Sequence, residues 1–327
     1  MRNRTVILAS LICLGSSAGR ASVALLLEEP FGAFGGLTPT GHAAVYLSHV
    51  CAASPLSLRR CQDGEEGVVL SRYHRIGGYD WIAIPLLPYL YAVDRPEQVP
   101  SAVTAADVAT LRNAYRRKNL TEVAPDAKDG SPPSGAWIQL AGAAYDRTIY
   151  AFEIATTPGQ DDEFIARFNS RPNDQHFNLL FHNCADFARQ AVDFFYPHAV
   201  HRSLLADMGI MSPKQAAKSL VSYSRRHPNL QLASFVIPQV HGTVPRSTPV
   251  RGVLESFVKS KKYAVPLVSV AALHPFFGGF LALDWVEGSH FDPRRIAGAK
   301  NSSPEPAMIE VELESKTPPA AAAANGQ

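Results

Sequence analysis

Cysteine is scarce in this chain, with 4 among 327 residues. That scarcity excludes a small disulfide framework, and the spacings lack the paired pattern of a zinc ribbon. A charge excess is missing as well. Lys and Arg number 31 against 29 Asp and Glu, a formal net charge of +2. No field of one sign calls for nucleic acid as a partner. The chain has no internal repeat, and its scattered histidines form no HExxH-like ligand spacing, so neither a metal nor a cofactor is expected. What is present is ordinary: 46% hydrophobic and 18% charged residues, the composition of a folded chain with ample core.

The N-terminus points to export. Arg2 and Arg4 precede an uncharged apolar run from Val6 to Leu14, and small residues follow: Gly15, Ser16, Ser17, Ala18, then Ala21, Ser22 and Ala24. This order describes a secretory signal peptide over residues 1–24. The run is short for a membrane span. A cut after Ala24 suits the small-residue rule, and one after Ala18 also fits. The expected destination is periplasmic, secreted or envelope-associated, an oxidising compartment. Cys13 would leave with the leader. Cys51 and Cys61 flank the polar loop AASPLSLRR and are expected to form a disulfide. Cys184 is then single, and is a buried passenger, an intermolecular partner or a reactive thiol.

Further along, 42–50 and 68–76 read as strands, the second ended by Gly77-Gly78. Residues 81–93 (WIAIPLLPYLYAV) are apolar but broken by Pro85 and Pro88; they line a groove or cover a core. Thr104 caps a helix over about 105–118, Asp161 or Asp162 starts one reaching Asn169, and Ser212-Pro213 opens one to about Arg226. Residues 147–157 and 230–237 read as strands by their β-branched and aromatic content. The last stretch, 300–327, is Pro/Ala/Glu-rich and reads as disordered.

The informative string is FNLLFHNCADFARQAVDFF, residues 177–195. Ala185, Ala188, Val192 and Phe195 recur at helical steps, so a helix begins at Cys184. A cysteine there sits beside free backbone N–H groups and the positive end of the helix dipole, both of which favour thiolate. Thiol catalysis also needs a base within hydrogen-bond reach. His42, on a strand after a Gly-containing loop, is the candidate.

The pair GHAAVYLS (41–48) and FNLLFHNCADFA (177–188) resembles the circularly permuted papain-like superfamily. That superfamily includes PPPDE-type peptidases, lecithin:retinol acyltransferase-like enzymes and permuted relatives of NlpC-type endopeptidases. In those proteins a histidine opens an early strand, and the cysteine follows later in an Asn-Cys-x-x-Phe string at a helix start; Asn183, Cys184 and Phe187 match. The resemblance implies an α+β fold, an antiparallel sheet packed against helices, in a family-like unit over roughly 37–200 within a domain of 25–245. It implies Cys184 as nucleophile and His42 as general base, with the Cys184 N–H at the oxyanion. Asn183 would anchor the turn and Phe187 would pack in the core. The third residue, which orients the histidine, departs from the family pattern; Ser71, Tyr73 and His74 are the options, and His74 is favoured. His182, Trp81 and Tyr46 are candidates to line the substrate groove. The implied substrate is a peptide or acyl group of the cell envelope, cleaved at an amide or isopeptide bond. Lipid acyl transfer and non-catalytic binding are the alternatives.

Beyond the unit lies an extension over 246–299. Its stretch 263–283 contains no Asp, Glu, Lys or Arg and is long enough to cross a bilayer, though Pro266, Pro275 and Gly278-Gly279 weaken a span. A span, a membrane-associated hairpin and a core segment are all compatible with it.

Overall fold

The computed structural model describes residues 21–32, 40–74, 76–174, 177–203, 207, 209–253, 255–256, 269, 274, 276, 278–279, 282–283 and 291–299. The expectations for 1–20, for most of 263–283 and for 300–327 lie outside these residues. The chain is mixed α+β. Its first half runs β1 (Ser22–Glu28), β2 (His42–Leu47), β3 (Val50–Ser54), β4 (Ser57–Arg60), β5 (Val68–Ser71), β6 (Ile82–Pro85), α1 (Leu86–Tyr91), β7 (Ala102–Val103), α2 (Ala105–Asn119) and α3 (Ala143–Asp146). The second half adds β8 (Ile149–Ala155), α4 (Pro158–Asn169), α5 (Cys184–Phe195), α6 (Pro213–Arg226), β9 (Ala233–Ile237), β10 (His241–Gly242) and α7 (Pro293–Ala299).

Six strands form one antiparallel sheet in the order β6-β5-β2-β1-β8-β9. β1 lies inside it, with Leu25 opposite Val45 on one side and Phe152 on the other. Both faces are covered. Leu25, Leu27, Val45, Leu70 and Phe152 pack under α5 and α6, while Leu26, Ala44, Val69, Ile84 and Ala151 pack with α1, α2 and α3. A strand buried on both faces needs no polar alternation, which is why β1 reads SVALLLE. The same continuity makes it look like the end of a leader, and the sequence reading assigns no strand there.

Local chemistry explains the other boundaries. Thr104 and Ser212 cap α2 and α6 as expected. α4 starts three residues before Asp161, because Thr157 accepts from Gln160 N and Pro158 takes the first helical position. β5 stops at Ser71, where Arg72 turns inward to pair with Asp80. In the apolar 81–93 stretch, Pro85 ends β6 and Pro88 sits in the first turn of α1, where no N–H is required. Leu86, Leu87, Tyr89, Leu90 and Tyr91 are all buried core. Cys51 and Cys61 are disulfide-bonded across the β3–β4 hairpin. Among the described residues no helix is long and apolar enough to cross a membrane.

The C-terminal segments are built into the same body. Val250, Phe291 and Ala297 belong to the core under α5 and α6, and Thr248 N donates to Pro30 O at 3.0 Å.

The disulfide closes a loop with a sequence separation of 10. Replacing both cysteines (Cys51→Ser with Cys61→Ser) should cost about 2–3 kcal/mol by loop-closure entropy. Urea unfolding under non-reducing conditions measures it, and an unchanged midpoint would contradict a stapling role.

Candidate thiol site

Five chain segments end at one edge of the sheet: the end of β1 at Glu28, the start of β2 at His42, the end of β5 at Ser71, Arg147 just before β8, and the start of α5 at Cys184. Gly41 makes their convergence possible. Its φ is +77°, and a Cβ there would lie 2.1 Å from Glu28 O, so only glycine lets the chain enter β2 directly beneath β1. Glu28 and His42 are thereby register partners.

The helix start is held firmly. Asn183 Oδ1 accepts from Asp186 N at 3.0 Å, and its Nδ2 donates to Leu179 O at 3.0 Å and to Met211 O at 2.9 Å. Arg72 braces the turn from behind: it pairs with Asp80 at 2.6 Å, donates to Asn183 O at 3.4 Å and lies over the Phe187 ring. Asn183 thus anchors the turn, and Phe187 is buried in the core beneath α5.

Cys184 and His42 are almost fully covered, at 9% and 8% exposure. The thiol receives main-chain hydrogen bonds from Ala43, Ala185 and Cys184 itself, which lower its pKa. The helix start does what the sequence suggests. Burial nevertheless outweighs it and pushes the thiol up to about 11. The expected thiolate is therefore a neutral thiol in this structure.

His42 belongs to a second cluster. Along β2, Ala43 and Val45 face α5 and α6, whereas Ala44 and Tyr46 face the opposite layer; the alternation puts His42 on that opposite side. Its Nε2 is 2.6 Å from Ser71 Oγ, and its ring stacks on Tyr73 with centroids 4.9 Å apart. The ring hydrogen bond of His42 goes to Ser71, while the thiol meets the main chain one residue further along β2. Beside His42, Glu28 pairs with Arg147 at 2.8 Å, both buried, and accepts the Tyr89 hydroxyl. Burial first, and the Arg147 charge second, push the imidazole well below its ordinary 6.5. Burial raises Glu28, opposed by Arg147 and by the Tyr89 hydrogen bond.

The remaining sequence candidates fall elsewhere. His74 is exposed and packs edge-on against Phe177; Ser71 and Tyr73 take the positions beside His42. Trp81 is buried in the core, edge-on to Phe168. Tyr46 donates to Glu66 O and is buried away from the cluster. His182 is exposed and closes a short bridge with Asn178. Sequence reasoning missed Glu28, Tyr89, Arg147 and Arg72. An acidic pair, Glu28-Glu29, ending an apolar run was the available signal for Glu28; for the arginines none existed. Among the described residues the one close group of possible metal ligands is Cys51, Cys61 and Glu65, and its two cysteines are already joined to each other.

Compared with known proteins, the chain matches no family model, no curated protein and no solved structure.

Two outcomes follow from the cluster. Arg147→Met leaves Glu28 buried without its cation and should cost about 3–5 kcal/mol in urea unfolding; adding Glu28→Gln should recover part of it. A double mutant as unstable as the sum of the singles would deny the pairing. The imidazole, depressed when folded, takes up a proton more readily in the unfolded chain. Its contribution is full above about 6.5 and is lost as pH falls through the folded value. His42→Gln should therefore flatten the decline of stability below pH 6.5 relative to the parent.

Proposed function

We propose that the chain is an exported cysteine hydrolase of circularly permuted papain-like architecture, with Cys184 as nucleophile and His42 as general base. The observation that supports this is the Cys184 thiol at a capped helix start, ringed by main-chain donors, against the residue that follows His42. Ser71 Oγ can donate to Ala43 O at 3.4 Å while accepting from His42 Nε2 at 2.6 Å. In that tautomer Nδ1 is the free base. The step needs the His42 ring, which stacks on Tyr73 on the side of β2 opposite α5, to turn to the sulfur; Nδ1 then takes the thiol proton as sulfur attacks an amide carbonyl, and the C–S bond forms. The C–N bond then breaks, with the proton passing to the departing amine. Water hydrolyses the thioester and restores the thiol. The main-chain N–H groups at the helix start stabilise the oxyanion. Ser71 takes the orienting role for which the sequence favoured His74. Compartment and resemblance favour peptides of the cell envelope as substrate.

Non-catalytic binding is the second reading, favoured by the neutral, buried state of both groups. A peptidyl electrophile and iodoacetamide distinguish the two. In a hydrolase the peptidyl probe labels at neutral pH and labels neither Cys184→Ala nor His42→Ala, whereas simple alkylation rises only toward pH 11. Two probes following one thiolate curve would leave the binding module.

Export adds a further outcome. Ser22, Val23 and Ala24 are paired with β2, β8 or both, so a cut after Ala24 would strip the central strand, whereas one after Ala18 leaves it whole. N-terminal sequencing of the exported protein should begin at Gly19; a start at Leu25 would contradict this.

A further inference from the structure

Three large apolar side chains protrude together just ahead of the nucleophile: Leu179, Leu180 and Phe181, exposed by 60%, 46% and 57%. They form the tip of a turn closed by the Asn178–His182 bridge, whose two hydrogen bonds measure 3.2 and 2.9 Å. The backbone of this tip is largely satisfied from within the protein. Leu180 N donates to Asn178 Oδ1 at 2.9 Å, and Leu179 O accepts from Asn183 Nδ2 at 3.0 Å. Leu180 O and Phe181 O accept from Arg202 at 3.5 and 3.3 Å, and the Arg202 guanidinium also lies over the Phe181 ring.

An exposed turn in water normally leaves its carbonyls to the solvent. Here all three tip carbonyls are occupied while the side chains stay bare. That combination suits a medium that offers apolar contact and no hydrogen bonds, which is the interior edge of a lipid layer. A folded protein surface would supply polar partners and make the internal ones unnecessary. Arg202 is itself held by Asp186 at 2.5 Å, so it fixes the turn to the start of α5.

We propose that the 179–181 turn inserts into a lipid surface and presents Cys184 to substrate carried there. The placement of substrate rests on the hydrolase reading above; the insertion does not. Asn183 ties the two together, since its side chain bonds Leu179 O and caps the helix that begins at Cys184.

The test uses the full chain and vesicles of phosphatidylethanolamine and phosphatidylglycerol. Phe181→Trp serves as a local reporter. Its emission should shift to the blue on vesicle addition and be quenched by lipids brominated on the acyl chain. The signal is read as the difference from the parent chain with the same vesicles, because Trp285, next to residues 263–283, also emits. Leu179→Ser with Leu180→Ser should weaken that signal at least about tenfold in lipid concentration, given the apolar area lost, with thermal stability unchanged. Cys184→Ala should insert like the parent, so a failed hydrolase reading and a failed insertion give different results. An unshifted, unquenched reporter would overturn the proposal. So would a blue shift produced by raising protein concentration alone, which would assign the turn to a second copy of the chain.

Discussion

An ion pair sealed from water, Glu28 with Arg147, holds together the edge of the sheet where the candidate site lies. Two charges in such a place are stable only in each other's company. Tyr89 supplies one hydrogen bond to Glu28, and the Phe31 ring covers the guanidinium of Arg147. Because Glu28 ends β1 and Arg147 precedes β8, the pair ties two neighbouring interior strands at one end. It also sets the electrostatic setting of His42, which is paired with Glu28 by register and feels the positive field of Arg147.

The thiol shows how two effects of one location can oppose each other. A helix N-terminus offers donors and a favourable dipole, and those donors do reach the sulfur. The same packing that aims them excludes water, and desolvation of a charged sulfur is the larger effect. A neutral thiol beside a neutral imidazole has low reactivity toward passing electrophiles. In the proposed hydrolase it would react when a bound carbonyl makes proton transfer and attack simultaneous. In this respect burial acts as selectivity.

The legible parts of the molecule are those written in short spans of sequence. The caps at Thr104 and Ser212, the helix from Cys184, the strand from His42 and the Cys51–Cys61 pairing each depend on neighbours in the chain. β1 was not legible, because an interior strand and a leader share the same uninterrupted apolar composition. The partners of the site were hidden for a different reason. Which residue meets His42 is decided by the β2–β5 register and by where β5 ends, so Ser71 rather than His74 stands beside it. Glu28 and Arg147 lie far apart in sequence, and only the order of strands unites them. The papain-like comparison concerns two motifs, whereas the charged cluster around His42 belongs to this chain's own packing.

The position of β1 has a consequence for how the protein comes into being. Among the described strands it is the first to be synthesised, yet its outer neighbour β8 comes far later: Ser22 meets Glu153 across 131 positions. Until then β1 is an apolar ribbon with one side unpaired. Folding therefore waits for most of the chain, and long-range pairing of this kind is slow. A chain that delays its own collapse remains threadable, which is the state the proposed export would require.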